Sequence, residues 1–272
     1  TIDSAVAKSG WVSTNAQKLT AGSIQSGSGQ FFTGTIDEIK IYSSALTEDE
    51  IKLDYNHGSA MVLGSTSTDS SGNPGDNSSS REYCIPGDTG TCNSPVGEWK
   101  FDEKTGTSAY DTSGNGYVGT ITNATWTTGK IGAALNFDGN GDYATVSPIN
   151  ITTDITTEAW VYSTNFAQTG MIVSKKPVNT QWQFFFDGAT NGLSMDGGSH
   201  TLTCRTDQHN PVLPTNSAWH HVAGTISGTT CRIYVDGTQW ATGTVTAIGN
   251  NNTPGTNDVL ISTYDGVNYP FN

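Results

Sequence analysis

The chain has 272 residues, of which 34% are hydrophobic and only 14% are charged, and its formal net charge is −13. This length suits one large β domain or two smaller ones, and frequent Gly, Thr, Ser and Asn favour short strands joined by turns. The acidic balance repels a phosphate backbone and so excludes nucleic acid as the expected partner.

A strand is predicted over residues 34–42, where isoleucine and tyrosine make a β-branched and aromatic run. Two carboxylates, Asp37 and Glu38, lie inside it. A helix is predicted to follow, because Thr47 can act as its N-cap and Glu50 stands where a capping box places a glutamate.

An internal repeat links the two ends of the chain. Residues 19–23 resemble residues 259–263, and Phe31 matches Phe271 at the same sequence offset. The chain is therefore expected to stop where another strand like 34–42 would begin.

Residues 59–95 are predicted to form a flexible linker, since residues 64–80 contain no large apolar side chain. Pairing the cysteines by proximity gives the disulfides Cys84–Cys92 and Cys204–Cys231. Four cysteines nevertheless allow three connectivities, and four reduced thiols are the alternative. We expect disulfides, because the composition is typical of extracellular proteins.

Residues 96–272 are predicted to form an all-β sandwich, since short alternating segments are separated by turn residues and no useful helical period is present. No apolar run approaches the ~20 residues of a membrane span, and no signal peptide is recognisable. An extracellular chain of this kind is expected to be a processed chain or a fragment.

Several motifs occur in the order found in one known family. They are the strand and helix signals of residues 34–51 together with Trp99–Glu103, Asp111–Gly116, Phe137–Gly139, Glu158–Val161, Trp219–Ala223 and Ile233–Gly237. This set resembles the laminin-G-like domains of bacterial surface proteins, in the concanavalin A-like lectin/glucanase superfamily. The resemblance implies a jelly-roll β-sandwich of two antiparallel sheets.

In that family the strand similar to residues 34–42 ends the domain, whereas here it lies near the start of the chain. We therefore interpret residues 1–58 as the closing strands and exit helix of a laminin-G-like unit, and residues 96–272 as a sandwich lacking its own closing strand. The early strand could close the sandwich in cis, complete a neighbouring subunit, or belong to a preceding repeat. Cis closure is disfavoured, because strands in residues 1–32 would duplicate 241–272 and find no vacant place.

Calcium is the expected cofactor, as a structural ion held by carboxylate, amide and carbonyl oxygens in polar turns. The alternative is that aspartate and asparagine only shape these turns. The candidate ligands are Asp111, the Gly114 carbonyl and Asn115 in one turn, Asp37 by resemblance, and Asp138, Asn140 and Asp142 in a second turn.

Catalysis is not expected. The glucanases of the resembled superfamily carry a triplet of two glutamates and one aspartate on one strand, and this sequence has none. His220 and His221 are adjacent, so in a strand one would point inward and one outward, and a structural role is favoured.

Glycan binding is the remaining possibility, at aromatic faces and amides near a shallow surface. The candidates are Trp182, Tyr264, Tyr269 and Asn251, although Trp182 could equally fill the core. The sequence thus predicts a non-catalytic extracellular surface or filament-forming protein that acts in adhesion or structure. Self-association or neighbouring repeats are the expected partners, with strand exchange as one route. The alternative is a carbohydrate-binding module of a secreted glycoside hydrolase.

Overall fold

The structure is a computed structural model that describes residues 19–22, 30–56, 95–147, 149, 151, 154–175, 182–189, 192–197, 204–208 and 213–245. Within these residues the strands are β1 Leu19–Ala21, β2 Thr33–Tyr42, β3 Gly97–Trp99, β4 Ser108–Ala109, β5 Gly119–Thr122, β6 Thr125–Thr128, β7 Ala133–Asp138, β8 Tyr143–Val146, β9 Ile155–Ser163, β10 Gly170–Lys175, β11 Trp182–Asp187, β12 Gly192–Asp196, β13 Ala218–Ser227, β14 Thr230–Val235 and β15 Thr238–Thr244. The helices are α1, Glu48–Asn56, and a 3-10 turn at Thr206–Gln208.

The strands form two antiparallel sheets, so the predicted all-β sandwich is confirmed. One sheet has seven strands in the order β12-β11-β10-β1-β8-β5-β4. The other has eight, in the order β15-β14-β13-β9-β2-β7-β6, with β3 also paired to β2. Inward-facing side chains such as Leu19, Val161, Phe184 and Ile233 form one apolar core between the sheets.

The N-terminal strands lie in the middle of both sheets. Strand β1 pairs with β8 and with β10, and β2 lies between β7 and β9. The expectation that these strands would find no vacant place is therefore wrong, because residues 19–21 fill the position between β8 and β10. The similar segment 259–263 lies outside the described residues, as does nearly all of the linker 59–95.

A β-bulge in β2 decides which of its side chains face the core. Between Asp37 and Lys40, β2 contains one residue more than the facing part of β9. Glu38 adopts a positive φ of 50° at this point. The extra residue lets Ile36 and Ile39 both enter the core although their spacing is odd. Asp37 and Lys40 consequently both lie on the outer face of the eight-stranded sheet.

Helix α1 begins with the predicted capping box, which is confirmed. The Glu50 amide donates to Thr47 Oγ1 over 3.3 Å, and the Thr47 amide donates to Glu50 Oε2 over 2.6 Å. The helix packs on the outer face of the eight-stranded sheet through Ile51, which is fully buried with Ala223 and Tyr234. This packing fixes where the polar residues near its end are placed.

The Cys204–Cys231 disulfide is present, with Cα atoms 6.0 Å apart. It ties the segment before the 3-10 turn to β14. The predicted Cys84–Cys92 bridge lies outside the described residues.

Candidate functional site

The outer face of β2 carries two groups of ionisable residues, one on each side of the bulge. The first, called the Asp37 site, consists of Asp37, Asp102 and the loop 129–133. The second, called the lysine cluster, consists of Lys40, Tyr42, Asp54, Glu158 and His221.

The Asp37 site is held by backbone amides of the 129–133 loop. Asp37 is fully buried, and its Oδ2 accepts a 3.0 Å hydrogen bond from the amide of Ile131. Oδ1 of Asp102 accepts a 2.8 Å hydrogen bond from the amide of Ala133. The loop therefore brings two carboxylates of distant segments against one stretch of backbone.

Two glycines make this close approach possible. A Cβ atom at Gly129 would overlap Oδ2 of Asp37, and one at Gly132 would overlap Oδ1 of Asp102. Gly132 also has a positive φ of 67°, which side chains other than glycine rarely adopt. The loop is thus shaped around the two carboxylates.

The electrostatics of the Asp37 site favour a positive partner. Burial, aided by the charge of Asp102, raises the pKa of Asp37 to about 7 despite backbone hydrogen bonds that lower it. Burial and the charge of Asp37 raise the pKa of Glu38 to about 8. Oδ1 of Asp37 is buried without a hydrogen-bond partner among the described residues. The ammonium of Lys130 lies over the ring of Trp160, 4.6 Å from its centroid.

These observations fit a hard cation in part. An unpartnered carboxylate oxygen beside a second carboxylate is a donor pair that Ca²⁺ accepts. Among the described residues, however, no group of three or more His, Cys, Asp or Glu side chains is arranged to hold a metal ion. The remaining ligands would therefore be backbone carbonyls and water. Sequence reasoning missed Asp102, although it lies in a motif that supported the family resemblance.

The predicted calcium turn at Asp111 has a different structure from the one expected. Oδ1 of Asp111 accepts from the amides of Glu98 and Ser113 over 3.0 and 2.9 Å, and Oδ2 accepts from the amide of Tyr117 over 2.9 Å. The Asn115 side chain donates to the Val96 carbonyl over 3.1 Å. Amide donors thus take three of the roughly four acceptor positions of this carboxylate, which is the turn-shaping role, and calcium at this turn stays a prediction.

The other residues of this prediction are likewise explained by the turn. Gly114 has a positive φ of 90°, as a tight turn requires. Asp37 accepts its hydrogen bond from the 129–133 loop. The grouping of Asp37 with Asp111 in one calcium site stays a prediction.

The second predicted calcium turn is a compact loop between β7 and β8. Asp138 accepts from the amide of Asn140 over 2.7 Å, and Asp142 accepts from the amide of Asp138 over 2.8 Å. Burial, with the nearby charge of Asp138, raises the pKa of Asp142. These are again turn-forming contacts, and calcium there stays a prediction.

The lysine cluster is buried between α1 and the outer face of the eight-stranded sheet. The Lys40 ammonium donates to Asp54 Oδ1 over 2.9 Å and lies 3.6 Å from Glu158 Oε1. The Tyr42 hydroxyl donates to Asp54 Oδ2 over 2.8 Å. His221 Nε2 lies 3.7 Å from Glu158 Oε2, and burial lowers the pKa of His221 to about 4. One cation thus faces two carboxyl groups and a neutral imidazole.

The two histidines have structural partners, as the sequence favoured. His220 Nδ1 is 2.8 Å from Asp236 Oδ2, and the His221 amide donates to Asp236 Oδ1 over 3.0 Å. His220 contacts Phe166 edge-on, whereas His221 contacts Trp160 in the same way. The two rings therefore lie in different environments.

Of the four predicted glycan-binding residues, the structure describes only Trp182. Trp182 is fully buried in the core, so the prediction that its face stacks on a sugar is wrong. Asn251, Tyr264 and Tyr269 lie outside the described residues. Within the described part of the chain no helix is long and apolar enough to cross a membrane.

Comparison with known proteins gave one match. A family model described as the concanavalin A-like lectin/glucanases superfamily, of the laminin-G type, matches residues 2–52 and 138–272. Searches of curated proteins and of solved structures found no match. In the structure, strands of the two matched segments are hydrogen-bonded to each other, since β1 pairs with β8 and β2 pairs with β9.

Proposed function

This chain belongs to the concanavalin A-like lectin/glucanase superfamily, and from that premise we propose that it is a non-catalytic, extracellular surface protein that assembles by strand exchange. Its role is adhesive or structural. The observation that carries the proposal is the position of β1 and β2, which lie inside the two sheets. Every described strand that pairs with them begins after residue 96.

Central strands donated by a separate segment are well suited to exchange. Strand β2 forms backbone ladders with three other strands, β3, β7 and β9. A sandwich without it would expose two open edges inside one sheet, which is an aggregation hazard. Any copy of the same segment can fill this gap, because backbone pairing and core contacts are identical in cis and in trans.

The length of chain between α1 and β3 permits both arrangements. This connection runs from residue 57 to residue 96 and includes the Ser-, Gly- and Asn-rich stretch 64–80. The local concentration of β2 then decides between closure within one chain and exchange between chains.

A mixing experiment with single cysteines tests the exchange. Thr35 and Asn136 face each other on β2 and β7. The variants Thr35→Cys and Asn136→Cys are unfolded separately, mixed, refolded under oxidising conditions and analysed by non-reducing electrophoresis. We expect a covalent dimer from the mixture and none from either variant alone.

The double variant Thr35→Cys/Asn136→Cys is the matched control. It forms a disulfide within one chain if β2 inserts in cis, and disulfide-linked oligomers if β2 inserts in trans. Internal bridging together with no dimer in the mixture contradicts strand exchange. Light scattering of the unmodified protein gives the mass of the native particle, and a strict monomer at all concentrations contradicts an assembly role.

We also propose that the Asp37 site holds a structural Ca²⁺. Asp37 and Asp102 would supply carboxylate oxygens, and the ion would neutralise Asp37, whose charged form is disfavoured by burial. Because β2 carries Asp37 while Asp102 and the 129–133 loop belong to the rest of the sandwich, the ion would strengthen β2 insertion. Adding a chelator is therefore expected to shift the particle mass.

A further inference from the structure

The lysine cluster places a primary amine against a carboxyl group in a closed environment. Lys40, Asp54 and Glu158 are 6%, 7% and 1% exposed. Lys40 and Glu158 face each other on neighbouring strands β2 and β9, and α1 brings Asp54 over them. Lys40 Nζ is 2.9 Å from Asp54 Oδ1, which is hydrogen-bond contact between two groups that can condense.

As an ion pair this arrangement is expensive. Removing an ammonium and a carboxylate from water costs several kcal/mol for each ion, and mutual attraction repays the cost only with excellent geometry. Here a second carboxyl group, Glu158, must also be accommodated beside the same ammonium. Conversion of the pair to a neutral amide removes two buried charges at once.

We propose that Lys40 and Asp54 are joined by an amide bond that forms inside the folded protein, with Glu158 transferring the protons. The bond is a modification of the chain itself and does not depend on the adhesive or structural role proposed above.

The reaction balances without any oxidant, reductant or cofactor. A proton passes from the Lys40 ammonium to the Asp54 carboxylate, which leaves a neutral amine and a neutral carboxylic acid. The amine attacks Cγ of Asp54, so that the Nζ–Cγ bond forms. Glu158 takes the second proton from nitrogen and returns it to the departing oxygen. The Cγ–O bond breaks and one water molecule leaves.

Each neighbour has a defined part in this step. Burial and the Asp54 charge raise the pKa of Glu158 well above its usual value, so its carboxyl holds a proton that it can exchange. The Tyr42 hydroxyl donates to Asp54 Oδ2, where negative charge develops as the amine adds. Both reactants are fixed in contact, which replaces a collision in solution by a step within one molecule.

The order of assembly follows from where the residues lie. Lys40 and Asp54 belong to the same N-terminal segment, whereas Glu158 belongs to β9. The bond therefore forms only after β2 has inserted beside β9, from the same chain or from another one. It then fixes α1 to β2.

Mass spectrometry of the full chain, after reduction of its disulfides, tests the proposal. We expect a mass lower than the sequence mass by about 18 Da, the mass of one water. A mass equal to the sequence mass overturns the proposal.

Trypsin digestion locates the bond. Cleavage after Lys18, Lys52 and Arg81 should leave peptides 19–52 and 53–81 as one covalent species, because an acylated Lys40 is not a cleavage site. Separate peptides 19–40 and 53–81 overturn the proposal even if the intact mass is low.

Two variants provide the controls. Lys40→Arg keeps a positive charge beside Asp54, but its guanidinium stays protonated and cannot attack, so this variant should have the full sequence mass. Glu158→Gln keeps the size of the side chain without an exchangeable carboxyl proton and should lose most of the linked product. Full linkage in Glu158→Gln overturns the role of Glu158. If this variant does not fold, the wild-type and Lys40→Arg masses still decide whether the bond exists.

Discussion

The Asp37 site and the lysine cluster lie on the same strand, on opposite sides of one bulge. They differ in the charge of the group that faces the buried acid. In the cluster, Glu158 and Asp54 face the ammonium of Lys40. At the Asp37 site the second charged group is another acid, Asp102, and one buried oxygen of Asp37 has no partner among the described residues.

The difference shows what determines whether a buried carboxyl is charged. Burial works to raise the pKa of Asp54, but the charge of Lys40 and three hydrogen bonds outweigh it, so the pKa of Asp54 is lowered. Asp37 has only backbone donors and keeps a raised pKa of about 7. The lysine cluster contains an amine that faces its acids, whereas Asp37 is hydrogen-bonded by backbone amides.

The largest expected effect is removal of the Lys40 amine from the cluster. Lys40→Met should lower the free energy of unfolding by about 3–5 kcal/mol, because it removes the proposed link to Asp54 and leaves the buried carboxyl groups of Asp54 and Glu158 without the amine that faces them. Urea denaturation followed by tryptophan fluorescence measures it. Lys52→Met is the matched control. Lys52 pairs with Glu48 on the exposed side of α1, the helix that carries Asp54, and its substitution should give no measurable change. Equal losses of unfolding free energy in the two variants would show that the buried cluster stabilises the fold no more than an exposed ion pair does.

A second prediction concerns the pH dependence of the Asp37 site. Folded Asp37 keeps its proton up to about pH 7, whereas the unfolded chain releases it near 3.8. Unfolding therefore releases a proton in this window, and the stabilisation is lost as pH rises through it, by roughly 2–4 kcal/mol. Asp37→Asn cannot titrate and should show a flatter profile between pH 4 and 7, measured by thermal unfolding in a chelator.

Calcium should reverse this trend if it binds there. Because the ion displaces the proton, its stabilising effect should be larger near pH 8 than near pH 5. Asp37→Asn should abolish the difference. An equal calcium response in wild type and Asp37→Asn rejects the assignment of calcium to this site.

The smallest expected effect comes from weakening α1, which contributes to the lysine cluster but not to the Asp37 site. Thr47→Ala removes the N-cap of α1, which supplies Asp54 to the cluster and nothing to the Asp37 site. It should lower the free energy of unfolding by about 1 kcal/mol. The calcium response should stay unchanged. A weakened calcium response would mean that the two regions are coupled through β2.

Local features were predictable from the sequence where neighbouring residues determine them. The capping box of Thr47 and Glu50 depends on a spacing of three residues, and it formed as predicted. The odd spacing of Ile36 and Ile39 contained the signal for the bulge, since a regular strand cannot turn both inward. The Cys204–Cys231 pair was among the open connectivities and is present.

Contacts between distant segments were not predictable in the same way. The contact of Asp37 with the 129–133 loop was missed, because only the order of strands in the sheet determines which loop reaches it. Trp182 was left open between surface and core, and its pairing with Lys175 of β10 places it in the core. Asp54 was missed because its partner Glu158 lies on a strand more than 100 residues away.

The sequence by itself determined the fold class, the start of α1 and the family, since alternation, capping and motif order are written in adjacent residues. Only the tertiary structure decided that residues 19–21 and 33–42 fill the centres of both sheets, and that Lys40, Asp54 and Glu158 meet. The physical reason is that backbone pairing and burial depend on which edges are open and how far the chain can reach. These quantities exist only once the sheets have formed.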